Sequence, residues 1–181
     1  EWDAATARTQ TIGDPTEGAL LVAAGRAGLA RESLAQALPR VGELPFDSDR
    51  KRMTTVHAVV EAAGLPDLAR ARVVAGAPAG HIAFTKGSVD GLLAISTRVW
   101  MNGAAAPMTA EYIARIERAN ADLAANGMRV LGVAFRPLAT LGAPTPAMES
   151  ELIFVGFFGI VDPPRAEARE AVRVARQAGV R

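Results

Sequence analysis

Pro45-Phe46-Asp47-Ser48-Asp49-Arg50-Lys51-Arg52-Met53 runs directly into Thr54-Thr55-Val56-His57-Ala58-Val59-Val60, and the second half of this stretch decides the fold. Met53 to Val60 is rich in β-branched side chains, which favour an extended backbone, so it is read as a strand. Arg72 to Ala75 and His81 to Thr85 read as two more. Separations this short predict antiparallel pairing through loops, because a parallel crossover needs a dozen or more residues.

Working upstream, Asp14-Pro15-Thr16-Glu17 places a capping residue, a proline at the first helical position and a glutamate three after the cap. This predicts a helix from Pro15 to about Ala27, stopped by Gly28, and a second from Arg31 to Leu38, ended by Pro39. Downstream, Ser88 caps a short helix to about Ile95. Thr109 to Asn126 carries the best helical periodicity, with Ile113, Ile116 and Leu123 inward and Gly127 as terminator. Val130 to Phe135 is a strand, Pro137 to Pro146 a loop, and Leu152 to Ile160 an apolar strand. Asp162-Pro163-Pro164-Arg165 then interrupts the chain before a last helix, Ala166 to Ala178. No repeat or low-complexity tract is present. The expected fold is α+β (mixed α/β), a largely antiparallel twisted sheet flanked by helices.

The 181 residues are 50% hydrophobic, enough for one sizeable core and a fragment of a second unit. Twenty basic and nineteen acidic residues leave a charge of +1, too balanced for a nucleic-acid platform that must neutralise many phosphates. Any cationic site is therefore local. Absence of cysteine excludes disulfides and thiolate metal sites and fits a cytosolic setting. Glu1-Trp2-Asp3 opens no secretory signal, and the start reads as internal to a longer protein. The apolar run from Leu152 to Val161 is about half the roughly twenty residues of a membrane helix.

Four segments carry candidate chemistry, each with a plainer alternative. Phe46 beside Arg50, Lys51 and Arg52 offers an aromatic face for a purine and cations for a phosphate tail; otherwise the ring is core and the triplet a solvated face. Glu17 is a ligand contact or the return partner of a capping box. Lys86-Gly87 follows a strand and precedes a helix start, where glycine admits a ligand to the backbone and free N–H groups attract anions; otherwise it is an ordinary turn. Arg129, just after Gly127, pairs a phosphate or sits on the surface. His57 and His81 lack neighbours at metal-ligand spacing and read as structural, and no metal site is expected. Neither a phosphate-binding P-loop, nor a dinucleotide Gly-x-Gly-x-x-Gly, nor a Gly-x-Ser-x-Gly elbow occurs.

Taken in order, Gly13-Asp14-Pro15-Thr16-Glu17-Gly18-Ala19-Leu20, Pro45-Phe46 to Met53, Phe84-Thr85-Lys86-Gly87, Gly127-Met128-Arg129-Val130-Leu131 and Asp162-Pro163-Pro164-Arg165 resemble the P-type cation-transporting ATPases, nearest the calcium-pump-like subgroup. The resemblance implies the nucleotide-binding domain of such a pump, over residues 1–161 with its N-terminal part missing, followed by the hinge and first helix of the phosphorylation domain over 162–181. It implies ATP, with Mg²⁺ carried by the nucleotide, as ligand. Phe46 would stack on adenine, Lys86 and Gly87 line the adenine and ribose pocket, Glu17 contact the adenine edge and Arg129 reach the phosphates. Lys51 lies near the same pocket, with Thr16 and Leu131 as lesser contacts. The implied partners are the phosphorylation and actuator domains of the same pump, with no nucleic acid, no membrane contact by this piece and a monomeric state. No residue here is expected to be catalytic.

The chain departs from that pattern in three places. Ser88-Val89-Asp90 follows Lys86-Gly87 where Ala-Pro-Glu is usual, and Ser48 stands where some members carry a phosphate-contacting arginine. The aspartyl-phosphate motif, the Thr-Gly-Glu-Ser loop, the Gly-Asp-Gly-x-Asn-Asp hinge and membrane helices are all absent from these residues. The expectation is a piece of a pump that binds ATP without turning it over. Two other readings stay open: an interaction module whose basic run docks an acidic partner or nucleic acid, and a self-sufficient hydrolase.

Overall fold

A computed structural model describes residues 2–3, 8–9, 14–60, 80–161 and 166–180. Strands β1 (Trp2–Asp3) and β2 (Arg8–Thr9) pair with each other. Helices α1 (Pro15–Arg26) and α2 (Arg31–Ala37) follow, then strands β3 (Arg40–Asp47), β4 (Arg52–Ala58) and β5 (His81–Gly87). Next come α3 (Val89–Leu93), the hairpin β6 (Ser96–Met101) and β7 (Ala104–Pro107), α4 (Ala110–Ala125) and β8 (Arg129–Leu138). A 3₁₀ turn (Pro146–Met148), β9 (Leu152–Ile160) and α5 (Ala166–Gln177) complete the order.

Seven strands form one sheet in the order β3-β4-β5-β8-β9-β6-β7. Every pair is antiparallel except β6 with β9, so the architecture is the α+β one expected. The anticipated strand Arg72–Ala75 and the Asp162-Pro163-Pro164-Arg165 boundary lie outside the described residues.

Alternation along the central strands buries a layer on each face. On one face Leu152, Phe154 and Ala134 pack with Val89, Leu92 and Leu93 of α3, backed by Ile113 and Ile116 of α4. On the other, Ile153, Phe135 and Ile82 meet Trp100 and the partly buried Phe84, which also contacts Ala37 and Leu38 at the end of α2. Trp100 and Phe135 meet edge to face at 5.6 Å.

The helix starts follow their caps. Asp14 accepts from the Thr16 and Glu17 N–H groups at 2.7 and 3.2 Å, Ser88 Oγ from Gly91 N–H at 3.3 Å, and Thr109 Oγ1 from Tyr112 N–H at 3.3 Å. Each satisfies a donor that the first helical turn leaves free.

The structure adds to and departs from the sequence reading, which placed no element at β1 and β2. β3 is a strand where no element was expected. The hairpin β6–β7 lies where no element was expected, turning through Asn102 and Gly103 at φ 50° and 83°. Pro137, expected in a loop, pairs opposite Ile82 within β8. Its missing N–H is harmless there, because the pairing of β8 with β9 ends at Phe135.

Candidate functional site

The faces of β5 and β8 gather the candidate residues. Lys86 pairs with Val133 and Phe84 with Phe135, and directly opposed residues project to one side. Phe84 and Phe135 line the second core cluster, so Lys86, Val133, Leu131 and Arg129, at even steps from them, share that face. Met53 continues the row onto β4 opposite Lys86. At the sheet edge, Leu44 pairs with Thr54 and Asp47 with Arg52, so Pro45 and Phe46 together oppose the single Met53. This is a β-bulge, a device that re-aims a side chain at a sheet edge. From β3 to β5 the row is about 10 Å wide, and Arg129 lies about 13 Å further along β8.

The first turn of α1 closes over this face. The Lys86 ammonium pairs with the Glu17 carboxylate, and the Arg129 guanidinium donates to Thr16 Oγ1 at 3.0 Å. Glu17 therefore points to the sheet in an ion pair with Lys86. Backbone N–H groups of Glu17 and Thr16 hold the Asp14 carboxyl below the usual carboxylate range, with the charge of Arg129 adding to the effect. A cavity of about 1010 Å³ lies beneath the rest of α1, against Gly127 and Met128 of the turn before β8, Arg129 at its start, and Phe158 to Ile160 of β9 with Val161 just after it. It adjoins the site through Thr16 and Arg129, while Phe46 and Lys86 are not among its walls.

Phe46 is 65% exposed, which rules out the core-aromatic alternative. Leu131 is partly buried beneath the site, opposite Phe158. Lys51 stands apart from the others. It occupies the β3–β4 turn with φ 51°, its carbonyl accepts from Ser88 N–H at 3.1 Å, and its charge helps hold the Asp90 carboxyl low after the larger effect of the Ser88 hydroxyl. Among the described residues no ion pair links it to the Glu17–Lys86 pair. Gly87 has a reason of its own to lack a side chain: a Cβ there would stand 2.5 Å from the Lys51 carbonyl oxygen and 2.6 Å from Arg52 Cβ.

Arg50 and Arg52 are part-buried and paired, which corrects their reading as surface residues, while Lys51 between them is exposed. Both guanidiniums converge on Oε2 of Glu149, Arg52 Nε at 2.8 Å, and the Glu149 side chain is fully buried. Thr54 donates to Oε1 at 2.9 Å and meets Thr85 Oγ1 at 2.8 Å. Burial alone would raise the Glu149 carboxyl; the bonds from Arg50, Thr54 and Arg52 outweigh it and hold the carboxyl below its ordinary range. Sequence reasoning passed over Glu149 because its partners lie almost a hundred residues away and no local pattern marks it.

His57 is held by two hydrogen bonds. Its Nδ1 donates to the Leu38 carbonyl, which can only accept, at 2.7 Å, leaving Nε2 to accept from Thr55 Oγ1 at 3.0 Å. The neutral ring is thus satisfied at both nitrogens.

Fold and site together define an α+β domain that presents an exposed ring and a group of cations on one face of a mostly antiparallel sheet, under the N-terminus of a helix. The chain belongs to the family described as P-type ATPase, cytoplasmic domain N, whose model matches residues 2–167. It is 33% identical over 179 residues to calcium-transporting ATPase 1 of Bacillus cereus, covering 99% of this chain and 18% of that protein. It is 36% identical over 172 residues to a calcium-transporting ATPase of Bacillus subtilis, covering 93% and 17%. With the probable cation-transporting ATPase F of Mycobacterium bovis it shares 33% over 180 residues, covering 96% and 17%. The chain therefore spans less than a fifth of the length of these relatives. No helix among the described residues is long and apolar enough to cross a membrane.

Proposed function

We propose that this chain binds ATP as the cytoplasmic nucleotide-binding domain of an ATP-driven cation pump, and that it presents the γ-phosphate to an aspartate in a phosphorylation domain outside these residues. The observation that carries the reading is the exposure of Phe46 on a bulge, in the same row of the sheet as Lys86, whose ammonium pairs with Glu17. Adenine stacks on the ring, Glu17 and Lys86 contact the base and ribose, and Arg129 with Thr16 reaches toward the phosphates, whose Mg²⁺ is carried by the nucleotide. Leu131 forms the floor. Lys51 meets the outer end of the ligand from the turn, and Gly87 contributes by letting that turn close on β5. Stacking of this kind is worth about 1–3 kcal/mol, which with a few charged contacts gives micromolar to millimolar binding. Weak binding suits a ligand that leaves in every cycle.

Residues 1–161 form this domain in the proposal, and 162–181 begin the passage to the phosphorylation domain. The domain works as a monomer within one membrane-embedded pump, with the phosphorylation and actuator domains as its partners. The names of the relatives favour calcium as the transported ion. The interaction-module alternative loses its basis, because Arg50 and Arg52 are both paired with Glu149.

Calorimetric titration of ATP into the wild type, Phe46→Ala and Lys86→Ala tests the assignment. Each variant is expected to bind at least about fivefold more weakly. Wild-type affinity in both would refute the site.

A further inference from the structure

We propose that Glu149 is a positioning residue for the nucleotide site, setting the Phe46 ring through Arg50 and the Pro45 carbonyl; this rests on Phe46 as the stacking ring. An exposed ring has little packed against it, so its position comes from its backbone. That backbone is a bulge on an edge strand whose residues are largely exposed. Among the described residues the side chain that ties it inward is Arg50, which donates to the Pro45 carbonyl at 2.9 Å with one nitrogen and to Glu149 with another.

Glu149 is well placed as the fixed end of this link. It stands three residues before β9, where Leu152, Ile153 and Phe154 are all buried. Arg52 and Thr54 hold the same carboxylate from β4, and Arg52 also donates to the Arg50 carbonyl at 3.1 Å. The Asp47 carboxylate shapes the intervening turn, accepting from the N–H groups of Asp49 and Arg50 at 3.0 and 2.8 Å. The segment before Glu149 touches the same hairpin, since a Cβ on Gly42 would lie 2.9 Å from Pro144 Cγ. The Phe46 hairpin is thereby fastened to a central strand by a charge-assisted fork whose rigid geometry a lysine cannot reproduce.

The test titrates ATP, and inorganic tripolyphosphate as a probe without a base, into the 181-residue chain carrying Glu149→Gln, Arg50→Lys, Phe46→Ala and the double variant Arg50→Lys/Phe46→Ala. Arg50→Lys leaves Glu149 paired with Arg52 and Thr54, so it reads the link even if Glu149→Gln fails to fold. The expected result is an approximately fivefold or greater weakening of ATP in Arg50→Lys, tripolyphosphate binding unchanged, and no further loss when Arg50→Lys is added to Phe46→Ala. Wild-type ATP affinity in Arg50→Lys, or an equal loss in the Phe46→Ala background, overturns the positioning role alone. Wild-type affinity in Phe46→Ala overturns the stacking assignment and this proposal with it.

Discussion

Gly87→Ala separates two reasons for a glycine at the end of β5. If the glycine serves ligand approach, alanine will weaken ATP binding and leave the fold alone. The geometry favours the other reason. The added methyl would stand 2.5 Å from the Lys51 carbonyl oxygen, 2.6 Å from Arg52 Cβ and 3.0 Å from Arg52 Cα, against ordinary contact from 3.4 Å. The first of these is about 0.9 Å too close, and two of the three atoms are backbone, held in place by the Ser88 N–H bond to Lys51 O and by pairing of Arg52 with Gly87 itself. Overpacking of this kind costs about 1–3 kcal/mol, and the rigidity of the neighbours puts Gly87→Ala at the upper end. For a chain of this size that is a fall in Tm of roughly 5–10 °C. Gly159→Ala is the control: its methyl meets Met128 Sδ at 3.0 Å and Leu123 Cδ1 at 3.4 Å, flexible ends that can turn aside, so its Tm should stay within about 2 °C. Thermal unfolding followed by circular dichroism reads both. A Gly87→Ala protein that melts with the wild type but has lost ATP would refute the packing argument.

Two other outcomes follow from burial. Phe154, 1% exposed, and Phe46, 65% exposed, should part company on truncation to alanine: Phe154→Ala costs about 3–5 kcal/mol, Phe46→Ala under about 1 kcal/mol by its small buried share, and urea unfolding that gives them equal costs would contradict the assigned positions. Burial, with Arg40 adding to it and the Leu38 hydrogen bond opposing it, holds the His57 pKa below its ordinary value. The unfolded chain then binds the proton more readily, so the stability from this residue is complete above about pH 6.5 and is lost as pH falls through the lower folded pKa. Urea midpoints should drop from pH 7.5 to 5.5 in the wild type and drop less in His57→Asn; parallel slopes would assign the loss to other groups.

Capped helices and buried strands were legible in the sequence because their signals are local. Asp14, Ser88 and Thr109 mark their helix starts within three residues, and the apolar run Leu152 to Ile160 marks a strand whose first three residues are buried on both faces. β3 was not legible for the converse reason. Arg40 to Asp47 is an edge strand with Gly42 and Pro45 inside it and almost no buried position, so it shows no apolar alternation. The β6–β7 hairpin did carry a signal, Asn102-Gly103 between Trp100-Met101 and Ala104-Ala105, since a two-residue turn with both φ values positive favours that dipeptide. The grouping of Glu17 with Lys86 and Thr16 with Arg129 came from the family resemblance and not from spacing; the partners are 69 and 113 residues apart. Glu149 belonged to no motif, and its role exists only once the chain has folded.

The attachment of α1 has a thermodynamic consequence. Of its twelve residues only Gly18 is buried, and its first turn is fastened to the sheet by Lys86 with Glu17 and by Arg129 with Thr16, side chains that also belong to the proposed site. A ligand that recruits any of these four must compete with the helix for them, or bridge them and fasten it more firmly. Occupancy of the site and docking of α1 are therefore a single linked equilibrium, in which whatever changes one changes the other by the same free energy.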